Sequence, residues 1–86
     1  MKVLFHKQFK KKYRKLDRKL QQRIDSSISL FQSTPFDLQL NNHALKGKYR
    51  EFRSIDTTPD YRALYRVLSE DVVIFVDIDT HSNLYS

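Results

Sequence analysis

The side chains best suited to chemistry in this chain include three histidines, His6, His43 and His81. Metal ligation needs clustered ligands, and the sequence has no HxH or HExxH spacing and no cysteine. Its single glycine, Gly47, excludes the glycine-rich loops that bind phosphates and dinucleotides. No Gly-x-Ser-x-Gly element supports a Ser-His-Asp hydrolase. The histidines therefore have no metal, nucleotide-loop or esterase motif around them.

A further group of polar residues lies within or directly after segments with strand-like patterns. Its members are arginines and aspartates of the second half, followed by a polar C-terminal segment: Arg53, Asp56, Asp60, Arg62, Arg66, His81, Ser82 and Tyr85. Strand ends hold polar groups in a fixed geometry, which suits a functional site. From residue types alone two interpretations stay open: a site at the end of a sheet, or a surface histidine beside a solvated strand face.

The charge of the chain is its most informative bulk property. With 16 Lys and Arg against 10 Asp and Glu, the net charge is +6. Residues 1–26 carry ten basic and two acidic side chains, whereas residues 67–86 carry four acidic and no basic ones. This balance favours a polyanion or an acidic protein as partner. A solvated basic helix would give the same pattern, so charge alone does not decide between the two.

The elements that must position these residues begin with a helical region in the basic first half. Apolar residues from Phe5 to Phe31 recur every three or four positions, which is the spacing of an amphipathic helix. Asp17 is a plausible N-cap for a second helix starting at Arg18, so one long helix and two shorter ones both stay open. Pro35 ends the helical region because proline disfavours the α conformation in the residue before it.

After a predicted loop over residues 36–48, the pattern changes to that of β-strands. Three strands separated by short turns are predicted, over residues 48–56, 61–68 and 72–78. The last is almost continuous Val, Ile and Phe, which indicates a central strand covered on both faces. Residues 3–5 could add an edge strand.

The predicted fold class is α+β, with one or two helices packed on a small antiparallel sheet. Eighty-six residues support one hydrophobic core, so we expect a single domain over residues 1–86. No apolar stretch is long enough for a signal peptide or a membrane span. We therefore expect a cytoplasmic protein that does not associate with a membrane.

Three motifs occur in order in the second half: H-x-L-x-G from His43, P-D-Y at residues 59–61, and T-H-x-x-L-Y ending at Tyr85. Together they resemble the YafQ branch of the RelE/ParE toxin superfamily. The resemblance implies a RelE-like β-α-α-β-β-β fold, in which a helical hairpin packs on a small twisted antiparallel sheet. It also implies the toxin of a type II toxin–antitoxin pair, a metal-independent endoribonuclease that cuts mRNA in the ribosomal A site.

The same resemblance implies roles for individual residues. RNA cleavage without a metal needs an acid, a base and cations around the phosphate. The implied catalytic residues are His43, Arg53, Asp56, Asp60 and His81. Lys46 and Lys48 are implied to contact phosphate, and Tyr85 to stack on a base. The basic helical surface is predicted to bind ribosomal RNA and part of the antitoxin through cations that include Lys10, Lys11, Arg14 and Arg18.

Two positions depart from the family pattern. Asp56 stands where well-known relatives carry a second strand histidine, and Asp79 stands where they usually carry glycine. Both changes could weaken catalysis, so a catalytically weak or inactive member that binds RNA or antitoxin stays open, as does a ParE-like inhibitor of DNA gyrase. The implied partners are an acidic, partly disordered antitoxin, mRNA, and the 16S rRNA of the ribosome. No cofactor is expected.

Overall fold

A five-stranded sheet with helices packed on one face makes up the fold, in a computed structural model that describes residues 1–85. At Tyr85 only the backbone is described. The elements follow the chain as β1 (Lys2–Phe5), α1 (Lys7–Arg14), α2 (Arg18–Ser33), β2 (His43–Ala44), β3 (Arg53–Asp56), β4 (Tyr61–Ser69), β5 (Val72–Thr80) and α3 (His81–Tyr85). Two 3₁₀ turns, Leu38–Leu40 and Gly47–Tyr49, lie between α2 and β3. None of these described helices is long and apolar enough to cross a membrane.

The basic first half forms two helices, and the break between them lies where the sequence predicts a cap. Asp17 Oδ1 accepts a hydrogen bond of 2.9 Å from the N–H three residues on, which satisfies one of the unpaired donors at the start of α2. The first helix begins in a similar way, since His6 Nδ1 accepts from Gln8 N at 3.1 Å. The predicted helix end before Pro35 is also confirmed, because α2 ends two residues earlier.

The strands lie side by side in the order β1-β5-β4-β3-β2. The α+β fold is confirmed, and so is the predicted edge strand, which is β1. The predicted antiparallel pairing holds for every pair except β1 and β5, which run parallel. The exception arises because β1 reaches the rest of the sheet through the two helices, and a long crossover, unlike a hairpin, allows a parallel neighbour.

The segment between the helices and β4 is less regular than predicted. The predicted strand over residues 48–56 is reduced to β3, because Gly47, with a φ of 66°, begins a 3₁₀ turn that ends at Tyr49. A positive φ of this size suits glycine, which has no Cβ to clash. The predicted loop over residues 36–48 contains β2, a two-residue strand that pairs with β3.

One face of the sheet packs on α2 and forms the core, and we call it the helix-covered face. Its strand residues are all buried: Ile55, Ala63, Tyr65, Val73, Phe75 and Ile78. Phe31 of α2 packs on them, with its ring centroid 4.7 Å from that of Tyr65 and 5.2 Å from that of Phe75. Buried rings of this size supply much of the hydrophobic stabilisation of a small domain.

The opposite face, which we call the open face, consists of the strand residues that alternate with these: Ser54, Asp56, Arg62, Leu64, Asp77 and Asp79. The loop before β3 covers part of it, since Tyr49 and Phe52 line a groove together with Leu64. The prediction that β5 is covered on both faces is wrong. Phe75 is 0% exposed on the helix-covered side, whereas the open side of β5 carries two aspartates, which a fully covered strand would not.

Candidate functional site

A row of charged side chains crosses the open face. Asp56 of β3, Arg62 of β4 and Asp79 of β5 are neighbours in the strand register. Arg62 Nε lies 2.8 Å from Asp56 Oδ1, but its N–H does not point at that oxygen. Asp56 Oδ1 is therefore buried with a charge partner and without a hydrogen bond. At this distance the attraction between the two charges holds the guanidinium beside β3.

Arg62 also holds the turn that precedes its own strand. The two hydrogens of its Nη1 are shared among three carbonyl oxygens, those of Thr58 at 3.1 Å and Pro59 at 3.0 Å in the turn and that of Tyr61 at 3.2 Å at the start of β4. Because this turn carries Asp60, the guanidinium fixes the backbone on which that carboxylate is placed. This role of Arg62 was not predicted from the sequence. The available signal was an arginine two residues after Asp60 that pairs with an acidic residue of the neighbouring strand.

The structure brings together two of the predicted catalytic residues, Asp60 and His81. The N–H of His81 donates to the carbonyl oxygen of Asp60 at 2.9 Å, which ties the first residue of α3 to the turn before β4. Both residues are exposed. An imidazole and a carboxylate on anchored, neighbouring backbone segments can accept and donate protons for a substrate that reaches them.

Lys12 of α1 bridges two carboxylates of β5. Its Nζ lies 2.8 Å from Asp77 Oδ1 and 3.1 Å from Asp79 Oδ2. Burial lowers the pKa of Lys12, but these two carboxylates outweigh burial and raise the pKa above its ordinary value. Burial raises the pKa of Asp79, and hydrogen bonds from Asn83, Thr80 and Lys12 outweigh it, so that pKa is lowered. The charge of Asp79 is thus balanced within the protein.

Arg53 points away from the open face, because it alternates with Asp56 along β3. Its Nε donates to Asn42 Oδ1 at 2.9 Å and its Nη2 to Asn42 O at 3.4 Å. The guanidinium carbon lies 5.2 Å from the ring centroid of Phe36, within the range of a cation–π contact. These contacts hold the segment that leads into β2 against the sheet. The catalytic role that the resemblance implies for Arg53 stays a prediction.

His43 lies in a different part of the sheet from the junction of Asp60 and His81. It belongs to β2 at one edge, and β3 and β4 lie between β2 and β5. Its Nδ1 is 2.7 Å from the carbonyl oxygen of Asn41, so the ring N–H donates there and Nε2 is the acceptor of the neutral imidazole. The predicted catalytic residues therefore divide between two parts of the sheet.

The residues predicted to bind RNA are distributed over the loop before β3 and the helices. Lys46 and Lys48 are exposed, and Lys48 Nζ lies 5.2 Å from the ring centroid of Tyr49. The predicted helical cations are exposed as well: Lys10, Lys11, Arg14 and Arg18. The side chain of Tyr85 lies outside the described part of the chain. Within residues 1–85, no three His, Asp or Glu side chains are grouped so that they could hold a metal ion.

Solved structures of toxins share this fold. YafQ from E. coli superposes with a TM-score of 0.76 at 18% sequence identity, covering 98% of this chain and 97% of that one. The YoeB/ParE toxin from Agrobacterium tumefaciens gives a TM-score of 0.78 at 22% identity, covering 94% and 99%. The RelB–RelE antitoxin–toxin complex from Methanococcus jannaschii gives 0.74 at 26% identity, covering 96% and 95%. The RelE-like fold implied by the motifs is therefore confirmed.

A match over the whole length of the sequence identifies the family. No curated protein matches the chain. The family model described as a bacterial toxin of type II toxin–antitoxin systems, YafQ, matches residues 1–86. The resemblance carried by the three C-terminal motifs is confirmed by this match. The chain belongs to the YafQ family of bacterial toxins of type II toxin–antitoxin systems.

Proposed function

We propose that this chain is an endoribonuclease that cleaves mRNA on the ribosome without a metal ion. The observation that carries the proposal is the hydrogen bond of 2.9 Å between His81 N–H and the carbonyl oxygen of Asp60, which places an imidazole and a carboxylate on adjoining anchored segments. Membership of the YafQ family supports it. The net charge of +6 supports it too, because summed positive charge attracts a polyanion and gains from counterion release.

The reaction we propose is attack by the 2′-OH of one nucleotide on the phosphate that follows it. Asp60 accepts the 2′-OH proton as the O2′–P bond forms, and His81 donates a proton to O5′ as the P–O5′ bond breaks. The products are a 2′,3′-cyclic phosphate and a 5′-hydroxyl. One proton enters the protein at Asp60 and one leaves from His81, so the step balances without an external acid or base.

Three further residues contact the substrate in this proposal. Lys46 and Lys48 are exposed on the loop before β3, and their ammonium groups bind phosphates of the RNA. Tyr85, at the end of α3, stacks on a base next to the cleaved bond. Base stacking on an aromatic ring is a common way to hold single-stranded RNA.

The remaining members of the predicted site act by positioning other groups. Asp56 and Arg62 hold the turn that carries Asp60, through the 2.8 Å ion contact and the bonds from Arg62 to the turn carbonyls. Arg53 holds Asn42, and so supports the backbone of His43 in the next position. His43 contacts the RNA at a point away from the cleaved phosphate, because it lies across the sheet from His81.

An acidic antitoxin is the protein partner that we propose. The RelB–RelE neighbour is an antitoxin–toxin complex, and the present chain shares its fold at 26% identity. Residues 1–26 carry ten basic and two acidic side chains, which suit an acidic chain as well as RNA. Binding of the antitoxin to this surface would compete with RNA and silence the toxin.

The ends of the RNA fragments test the proposed function most sharply. The purified protein is added to a translation extract programmed with a defined mRNA, and the fragment ends are mapped and typed. We expect 5′-hydroxyl ends, and no cleavage after a nucleotide that carries a 2′-deoxy sugar. Fragments with 5′-phosphate ends, or cleavage after the 2′-deoxy nucleotide, would overturn the mechanism. Uncut mRNA combined with inhibited DNA gyrase would favour the ParE-like alternative instead.

A further inference from the structure

Two grooves adjoin on the side of the molecule where α1 meets the open face, and both are lined by His6 and Gln8. The first has a volume of about 300 Å³ and is walled by Tyr49 and Phe52 from the loop, with Leu64 and Val76 from the sheet. The second has a volume of about 800 Å³, and its other lining residues are all cations: Lys7, Lys11, Lys12, Arg14 and Lys15. An aromatic groove thus continues into a cationic one.

The first groove, which we call the aromatic groove, combines flat apolar walls with a few polar groups. Its volume lies at the lower end of the range for small-molecule sites. Asp77 Oδ1 accepts from Ile78 N at 2.9 Å and lies 2.8 Å from Lys12 Nζ, so the acceptor that this carboxylate offers a ligand is Oδ2. Gln8 contributes an amide that both donates and accepts. His6 Nδ1 accepts from Gln8 N, so the neutral ring carries its proton on Nε2 and is a donor there. A planar heterocycle with polar edges matches this lining.

The second groove, which we call the cationic groove, suits phosphate groups. Lys7 and Lys11 are spaced by four residues and lie along one side of α1, and Lys15, which caps the end of the helix, continues that spacing. No acidic residue lines this groove. Lys12 belongs to its lining and also binds Asp77 of the aromatic groove at 2.8 Å, which fixes the two grooves relative to each other.

We propose that the aromatic groove binds one nucleobase of single-stranded RNA, while the phosphates of the neighbouring nucleotides lie in the cationic groove. Aromatic stacking next to a cationic track is how many proteins hold single strands. Asp77 lies four residues before His81, about 13 Å along a strand, so the bound base belongs to a nucleotide near the cleaved bond and not at it. The identification of RNA as ligand rests on the proposed function.

The acceptor chemistry of Asp77 also indicates which bases fit. A carboxylate accepts hydrogen bonds and donates none, so it favours a base that carries an exocyclic amino group over uracil. The aromatic groove therefore contributes to base specificity. This base preference adds to any sequence preference that the ribosome causes.

A binding assay with uncleavable RNA tests the aromatic groove separately from catalysis. The probes are short 2′-O-methyl oligonucleotides, of adenine or of uracil bases, with one 2-aminopurine whose fluorescence falls on stacking. For Tyr49→Ala we expect binding about tenfold weaker, because stacking on one ring is lost. Tyr49→Phe keeps the ring and should bind like the unchanged protein. Lys7→Gln should instead reduce the slope of log affinity against log salt by about 0.7, with stacking retained.

Several outcomes would overturn the nucleobase site. One is equal binding of the adenine and uracil probes, with no change for Tyr49→Ala. Another is an absence of NMR shift changes at Tyr49 and Phe52 of the unchanged protein when the adenine probe binds, a measurement that needs no variant to fold. A third is that only an acidic antitoxin peptide shifts these signals, which would make the groove a protein interface. The probes cannot be cut, so their binding does not depend on cleavage. If the protein binds the probes as expected but does not cleave mRNA, the proposed function is refuted and the nucleobase site is not.

Discussion

The two faces of the sheet bury different kinds of groups. On the helix-covered face, Phe31, Tyr65 and Phe75 pack with centroid distances of 4.7 to 5.4 Å, and each ring is nearly inaccessible. On the open face the same strands carry Asp56, Arg62, Asp77 and Asp79, which are only partly buried. The core of the covered face is held together by packed apolar and aromatic side chains, with the charge of Arg53 only at its β3 edge. The open face carries ion pairs between its strands and with α1.

The comparison separates the charged groups that stabilise the sheet from those proposed to act in cleavage. Charges within the open-face strands are already partnered, Asp56 by Arg62 and the two β5 aspartates by Lys12. The groups proposed to transfer protons during cleavage lie at strand ends and in turns, as Asp60 and His81 do. A rigid sheet with paired charges can hold such groups in place without competing for the substrate.

The largest expected loss of stability follows a substitution in the core on the helix-covered face. Phe75→Ala removes a ring that is 0% exposed and lies within 5.2 to 6.0 Å of four other rings. We expect the free energy of unfolding to fall by about 3–5 kcal/mol, measured by urea titration. Leu38→Ala, at a side chain that is 96% exposed, should change it by less than about 0.5 kcal/mol. Similar small losses for both variants would contradict the assignment of the core.

A smaller effect on stability is expected at Arg53, on the covered side of β3. Arg53→Ala removes a charged hydrogen bond of 2.9 Å to Asn42 and the contact with Phe36. We expect the free energy of unfolding to fall by about 1–3 kcal/mol, whereas Arg66→Ala, at an exposed position of β4, should leave it nearly unchanged. An unchanged unfolding curve with cleavage about 10²–10³ slower would mean that Arg53 contacts phosphate, as the family resemblance implies.

Substitutions on the basic surface of the helices should lower the affinity for RNA and leave the fold intact. Replacing Lys10, Lys11, Lys15 and Lys19 by glutamine removes four exposed cations. We expect the slope of log affinity against log salt for ribosome binding to decrease by about 3, because each phosphate contact releases counterions. Filter binding over a salt series measures the slope. An unchanged slope would show that this surface does not contact RNA phosphates.

The smallest expected change in stability follows the loss of an ion pair on the open face. The lowered pKa of Asp79 adds stability above the ordinary Asp pKa of 3.8, and that stability is lost as the pH falls through the lowered pKa. Lys12→Gln weakens the pairing and should cost up to about 1 kcal/mol at pH 7, and less once the pH falls below the lowered pKa of Asp79. Lys11→Gln, the exposed neighbour, is the matched control. Equal melting curves for both variants at each pH would contradict the role given to Lys12.

Local signals in the sequence predicted much of the fold, because their physics acts over a few residues. Asp17 and Pro35 marked the ends of α2 through capping and through the restriction that proline imposes. The partner of β1 was not predictable in this way, since a strand joined by a long crossover has no local constraint on its neighbour. The coverage of β5 was misjudged because an apolar run does not tell whether helices cover one face or two.

The candidate site was predictable only as a set of residue types. The motifs named Asp60 and His81, and the fold brings them together. The bridge by Lys12 joins side chains that lie far apart in sequence, Lys12 and Asp79 being 67 residues apart. The contact of Arg62 with Asp56 depends instead on the register that sets the two residues opposite each other on β3 and β4. Such contacts follow from strand register and helix packing, which composition and periodicity do not encode residue by residue.

The most direct test of the central claim is the single-turnover rate of mRNA cleavage by His81→Gln on ribosomes, measured together with its unfolding midpoint. Glutamine keeps the size and hydrogen bonding of the side chain but cannot titrate near neutral pH. We expect cleavage to be slower by about 10²–10⁴, with ribosome binding and unfolding midpoint unchanged. Cleavage at the rate of the unchanged protein would show that His81 is not the proton donor and would contradict the account.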